Sequence, residues 1–159
     1  MIRSSDAKKV EIMNPDKYVV FSLGQEQYGL PIENIEQILS NSPVTRIPKT
    51  AKEILGVFNL RGETLAVVDT RAILNVEDSE DGCFLVVSIG GTRAAMVADK
   101  VNGIYDLAEN QIQMSSGMAS GQVSNYTGRI DDKLVVLLQP EALIPTRVAV
   151  DLSTAVAVA

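Results

Sequence analysis

Histidine is absent from the 159 residues and cysteine occurs once, as Cys83. Without histidine there is no Ser-His-Asp or Cys-His arrangement, and a single thiol cannot form a thiolate cage for zinc. Asp78, Glu80 and Asp81 alternate somewhat like a calcium loop, but they lack that loop's glycine and its distal bidentate glutamate in register, so a solvated acidic linker is the better reading. Gly90-Gly91 and Gly117-x-x-x-Gly121 lack the Gly-Lys-Ser/Thr ending of a phosphate loop. The 20 acidic residues allow a glycosidase-like pair by number, yet only 4% of residues are aromatic and none is tryptophan, so no sugar platform is in view. The side chain best suited to specific chemistry is Arg61, a rigid planar fork of donors that fits recognition rather than catalysis.

The elements that must hold Arg61 are written in residues 56–71, GVFNLRGETLAVVDTR. Val57, Phe58 and Leu60 make one short apolar segment, and Leu65 to Val68 make a second. Arg61-Gly62-Glu63 between them is a hairpin signal, because glycine accepts the positive φ of a tight reversal. The hairpin sends Arg61 to a supported tip. Asp69 stands ready to accept the first free N–H groups of a short helix over Thr70 to Leu74.

Composition narrows the function further. A chain of this length is one domain or two very small ones, and it buries roughly two thirds of its unfolded surface without a staple. With 46% hydrophobic and 21% charged residues it has an ordinary globular balance. A net charge of −6 with no sustained basic stretch disfavours nucleic acid and anionic membranes as partners. No segment approaches the ~20 apolar residues of a membrane span, and residues 1–16 lack the apolar core of a secretory signal. A cytoplasmic location is the expectation. Cys83, at the start of an apolar run, reads as a small buried hydrophobe.

Along the chain, residues 1–16 read as a flexible arm and Lys17 to Leu23 as a strand. Tyr28 to Ile32 returns, with Pro31 marking an edge or a bulge. Asn34 to Leu39 fits helix or strand, and the β context favours strand. Val44 to Pro48 is extended, and Ala51 to Leu55 is expected to form one helical turn. The acidic stretch 76–82 is the best internal boundary, because the pattern restarts after it. Val20 to Gly24 falls on Val86 to Gly90 at an offset of 66, and Ile38 falls on Ile104. Leu65 to Val68 parallels Leu134 to Leu137 at an offset of 69. Two similar all-β halves, about 17–75 and 83–144, follow, as small barrels or a sandwich. Glu109 to Asn125 reads as a long mobile loop, Tyr126 to Gln139 as the last hairpin, and Pro140 to Ile144 as a short helix. The apolar tail 145–159 is a candidate extra strand.

The central stretch resembles the "GVxNLRG … VVDxR" signature of the CheW family, adaptors that join bacterial chemoreceptors to the histidine kinase CheA. Further blocks sit in that family's order: Tyr18 to Gly24 with Tyr28 to Ile32, Arg46-Ile-Pro48, Tyr126 to Ile130, and Leu134 to Leu138. Together they span roughly residues 17 to 144. The resemblance implies two five-stranded SH3-like barrels packed side by side, no cofactor, no metal site and no catalytic residues. It implies docking to a CheA-type kinase regulatory domain and to a chemoreceptor's cytoplasmic tip, by a chain that is monomeric when isolated.

Residue by residue, Arg61 matches the NLRG arginine tied to receptor and kinase coupling; its plain alternative is a surface ion pair. Asn59, Leu60, Gly56 and Gly62 share that motif, and each has an alternative role in the turn or the backbone. Ile35 and Ile38 match apolar positions of a kinase-binding face, against an ordinary core role. In the family's "VxEI" this chain has Ile35-Glu36-Gln37-Ile38, with glutamine in the usual acidic place and Glu36 before it. Gln139 departs from a frequent aspartate, and Gly128 matches a glycine near a proposed receptor groove. Two other readings stay open: an adaptor of a twitching or diverged chemosensory pathway, and a small enzyme or ligand-binding barrel.

Overall fold

The computed structural model describes residues 17–40, 42–46, 53–74, 76, 82–114 and 126–143. These form strands β1 (Lys17–Leu23), β2 (Glu26–Pro31), β3 (Ile35–Ser40), β4 (Ile54–Leu60), β5 (Glu63–Val68), β6 (Cys83–Ile89), β7 (Thr92–Ala98), β8 (Lys100–Asp106), β9 (Ile112–Met114), β10 (Tyr126–Ile130) and β11 (Lys133–Leu137). Helix α1 (Thr70–Leu74) follows β5 and helix α2 (Pro140–Leu143) follows β11; Ile32–Asn34 and Glu109–Gln111 are 3₁₀ turns.

The repeat seen in the sequence governs the strand plan. β1, β2 and β3 correspond to β6, β7 and β8; β4, β5 and α1 correspond to β10, β11 and α2. The five-stranded sheet of the first barrel runs β3-β6-β7-β5-β4, and the six-stranded sheet of the second runs β8-β1-β2-β11-β10-β9. Exchanging each strand for its counterpart converts the first order into the second, with β9 added. Each barrel therefore takes its leading hairpin from one half and its remaining core strands from the other. Even the irregularities match: β3 shifts register against β6 between Ile35 and Gln37, and β1 against β8 between Val20 and Phe21. The parallel pairs β2–β11 and β5–β7 are likewise equivalent.

Pro31 marks the crossing point. It is the last residue of β2, opposite Tyr18, and lacking an N–H it ends the ladder there. The next turn is tied to the other sheet by Asn34, whose Nδ2 donates to the Ser88 carbonyl (3.1 Å). In the other half Asp99 turns the chain, its N–H donating to the Ser22 carbonyl (2.9 Å) while its Oδ2 accepts the Gly24 N–H (2.9 Å). Closure is also shared. Soon after β3, Thr45 bridges Val57 of β4, and after β8 the chain returns as β9 on β10. A closed sheet leaves few free edges.

Strand alternation divides the buried residues among three clusters. Phe58, Leu65, Val67, Phe84, Val86, Ala95 and Val97 fill the first barrel, where Phe58 meets Phe84 edge-on (5.1 Å, 71°). Tyr18, Val20, Leu107, Val135 and Leu137 fill the second. The largest cluster described lies between the sheets and includes Phe21, Leu30, Leu85, Val87, Met96 and Leu143. A fully buried Leu or Phe stabilises by about 1.5–3 kcal/mol through leaving water. The common layer thus welds the barrels together.

The two all-β halves and side-by-side barrels hold, with corrections. Halves 17–75 and 83–144 do not each form a barrel, because the sheets exchange strands. Pro31 ends an inner strand rather than lying on an edge or a bulge. The helical turn expected up to Leu55 is absent from its described part, as Ile54 already opens β4; strand pairing with β5 outweighs local preference. The 109–125 loop begins instead with a 3₁₀ turn and β9. Asp69 caps α1 through its carbonyl, which accepts from Ala72 (3.0 Å) and Ile73 (3.2 Å), while its carboxylate pairs with Arg71 Nε (3.3 Å). Arm 1–16, tail 145–159 and Asp78, Glu80 and Asp81 lie outside the described residues.

Candidate functional site

The β4–β5 hairpin is anchored at its base by Gly56. β4 shifts register there against β5, and a Cβ on Gly56 would run into the Thr45 carbonyl. At the tip, Arg61 (φ 52°) and Gly62 (φ 85°) are both left-handed, the two-residue turn that matches strand twist. The Gly62 N–H donates to Asn59 Oδ1 (3.0 Å), so Asn59 fastens the turn. Leu60 packs in part on the first barrel's core. Arg61 is exposed, and its guanidinium has no hydrogen-bond or ion-pair partner among the described residues.

β3 lies at the other end of the same sheet. Its side chains alternate: Ile35, Gln37 and Leu39 are half-buried, while Glu36, Ile38 and Ser40 are exposed. Ile35 packs on the layer between the barrels, whereas Ile38 is 44% exposed. The acid and the exposed isoleucine thus share the outer side, and the glutamine turns in.

A residue not singled out from the sequence, Arg93 of β7, joins these segments. Its Nε donates to both Glu36 oxygens (3.0 and 3.1 Å) and its Nη2 lies 2.9 Å from Glu36 Oε1. Its Nη1 lies 2.6 Å from Glu63 Oε1. The hydrogen bonds to Glu36 first, and those to Glu63 next, hold the guanidinium charged and push its pKa up. The sequence signal was slight: a charged residue opening the otherwise apolar run Ala94 to Ala98.

Gly128 is not on this sheet. It is buried in β10, where a Cβ would come 2.9 Å from Leu107 Cδ1. It borders a cleft of about 290 Å³ with Gln111, Thr127 and Asp132. A larger cleft of about 570 Å³ on the first barrel is lined by Val44, Leu55, Phe84 and Val97 together with Arg46 and Arg71. No acid–base pair converges among its described lining residues. Nor does any group of three or more His, Cys, Asp or Glu side chains gather for a metal among the described residues. Cys83 is half-buried, and burial first, then the Asp99 charge, pushes its thiol pKa up. Its thiolate is therefore disfavoured. No helix of the described residues is long and apolar enough to cross a membrane.

Comparison with known proteins gives a consistent result. A family model described as the CheW-like domain matches residues 17–148. The chain is 29% identical over 134 residues to chemotaxis protein CheW of Klebsiella aerogenes, covering 80% of this chain and 81% of that one. It is 25% identical over 127 residues to chemotaxis protein CheW of Thermotoga maritima, covering 78% and 84%. Protein FrzA of Myxococcus xanthus is 33% identical over 91 residues, covering 55% and 57%. The crystal structure of the scaffolding protein TtCheW from Thermoanaerobacter tengcongensis superposes with a TM-score of 0.75 at 28% identity, covering 84% of this chain and 90% of that one.

Proposed function

The chain belongs to the CheW-like domain family, and from that premise we propose a non-catalytic adaptor that couples chemoreceptors to a CheA-type histidine kinase in the cytoplasm. The observation that carries the reading is the Arg61 tip: an exposed, rigidly turned arginine with no side-chain partner among the described residues, on a hairpin held at both base and turn. A guanidinium presented this way is pre-arranged for a carboxylate or carbonyl of another protein. Ile38 supplies an apolar anchor on the outer side of β3, in keeping with docking sites that place a few apolar contacts beside charged ones.

In this reading the first barrel meets the kinase regulatory domain through β3 and the Arg61 hairpin, and Ile35 supports that strand from within. The receptor's cytoplasmic tip docks near Gly128. Glu36 and Gln37 favour one variant, an adaptor of a twitching or diverged chemosensory pathway. Here the outward acid is occupied by Arg93 and the inward position carries an amide, which alters what a kinase meets.

The test is a three-component assembly of the full chain, a CheA-type kinase and a receptor cytoplasmic fragment. The adaptor should bind each partner alone and raise receptor control of kinase phosphorylation. A chain that binds neither partner, or that turns over a substrate in its place, would sink the proposal.

A further inference from the structure

Arg93 stands where the two segments of the proposed kinase-docking surface come together. β3 and the β4–β5 hairpin are not hydrogen-bonded to each other, since β6 and β7 lie between β3 and β5 in the sheet. One guanidinium nevertheless reaches both, holding Glu36 with Nε and Nη2 and Glu63 with Nη1. Glu63 is the residue immediately after the Arg61-Gly62 turn, facing Leu60. Glu36 sits in the register shift of β3, two residues before Ile38.

The second barrel provides an internal control. By strand register, in which Lys133 faces Ile130 as Glu63 faces Leu60, one residue past the 69-residue offset of the sequence, its counterparts of Arg93, Glu36 and Glu63 are Gln27, Asn102 and Lys133, a set with neither guanidinium nor carboxylate. Asn102 turns instead to Ser22, donating from Nδ2 to the hydroxyl (2.9 Å). The clamp therefore belongs to the barrel that carries Arg61. Half-exposed ion pairs add little to folding by themselves, so the consequence of these contacts lies in what they hold in place.

We propose that Arg93 is a positioning residue of the docking surface, locking the Arg61 hairpin to the β3 bulge so that Arg61 and Ile38 meet the kinase as one pre-arranged unit. This deepens the adaptor reading and rests on it. Pre-arrangement strengthens binding by lowering the ordering cost at contact. Lysine cannot substitute fully, because a point charge does not span two carboxylates as a planar fork does.

The experiment uses the full chain as wild type, Arg93→Met, which keeps much of the stem without the charge, and Arg93→Lys. In the protein alone, exchange of the Gly62 amide should quicken about threefold in Arg93→Met, as expected when a local restraint of the exposed-pair class is lost. Calorimetric titration with a CheA-type regulatory domain should show affinity about threefold weaker for Arg93→Met, with Arg93→Lys between it and wild type. At about 1 M salt, where such pairs are screened, the variants should converge. Unchanged Gly62 exchange in Arg93→Met overturns the clamp, whatever binds. Faster exchange with undiminished affinity, or a difference that persists in high salt, overturns its docking role. Should the wild type bind no kinase, the adaptor reading fails and with it the docking role, while the exchange result still decides whether the clamp exists.

Discussion

The two barrels share a strand plan and diverge at tips and edges. The first turns at Arg61-Gly62, the second at Asp131-Asp132, with φ of 49° and 66°. Phe58 fills the first barrel where Gly128 of the second leaves room for Leu107. Ile38 and Ile104 are both exposed, but Ile38 lies two residues from the doubly held Arg93 clamp, whereas Ile104 lies two residues from the single Lys17–Asp106 pair (2.8 Å). Phe21 and Tyr28 stack in one hairpin (5.9 Å); Val87 and Ala94 replace them in the other. A duplicated framework thus tolerates different surfaces because its stability resides in alternating inward residues and a shared middle layer. In the proposed adaptor reading, specific recognition draws on surface positions such as Arg61 and Arg93, where the second copy has Asp131 and Gln27.

The largest effect should come from breaking what the copies share. Leu85 is fully buried between the barrels, so Leu85→Ala should cost about 3–5 kcal/mol through lost burial and a residual cavity. Because each sheet contains strands of both halves, denaturant unfolding should remain one transition in both variant and wild type. Separate melting of residues 17–75 and 83–144 would contradict the strand exchange.

Two glycines sharpen the contrast. Gly56→Ala drives a methyl into the Thr45 backbone and should cost about 2–3 kcal/mol in overpacking and strain. Gly128→Ala meets only the end of the Leu107 side chain, which can rotate, and should cost about 1 kcal/mol. Equal losses in urea unfolding would mean that the two backbones are alike in tightness after all.

A smaller difference appears only in alkali. Tyr28, in the hairpin whose counterpart has Ala94, has its phenol pKa pushed up to about 12, chiefly by burial, then by the charge of Glu26 and a hydrogen bond to it. An acid that holds its proton more firmly when folded stabilises fully below the unfolded pKa of 10.0. That contribution is lost as the pH rises through the folded value. Tyr28→Phe should therefore lose less stability than wild type between about pH 10 and about pH 12. Parallel losses in the two proteins would refute the assignment.

The smallest effect on folding is at the second tip. Asp132→Gly relieves a left-handed backbone and should stabilise by about 0.5 kcal/mol. Destabilisation in thermal melts would show that the Asp132 side chain holds the turn.

The Arg61-Gly62 tip was legible because glycine between two apolar runs has a direct backbone consequence. The repeat was legible too, since offsets record the order of apolar blocks. Pairing was not: nothing in the 66-residue offset says which sheet a hairpin joins, and Pro31 signals a stop without a destination. Ile54 and Leu55 look as helical as they look extended until Ile54 pairs with Val68 of β5. Ile112 is a lone half-buried apolar residue in β9, too little to show alternation. Asn59 and Gly56 could be assigned to turn and backbone only when the Gly62 amide and the Thr45 carbonyl were in place. Arg93 was hidden because an arginine at a strand start has the same appearance whether solvated or clamped.

The role proposed for the exposed tip is to recognise a partner rather than to support the fold. Arg61→Ala should cost within ~0.5 kcal/mol of stability, as a surface change does, so wild type and variant can be compared at matched thermal stability. The measurement is receptor-dependent control of kinase phosphorylation in the reconstituted assembly of receptor, kinase and adaptor. Arg61→Ala should show clearly reduced control, with Arg61→Lys recovering it only in part. Equal control by wild type and Arg61→Ala would contradict that role.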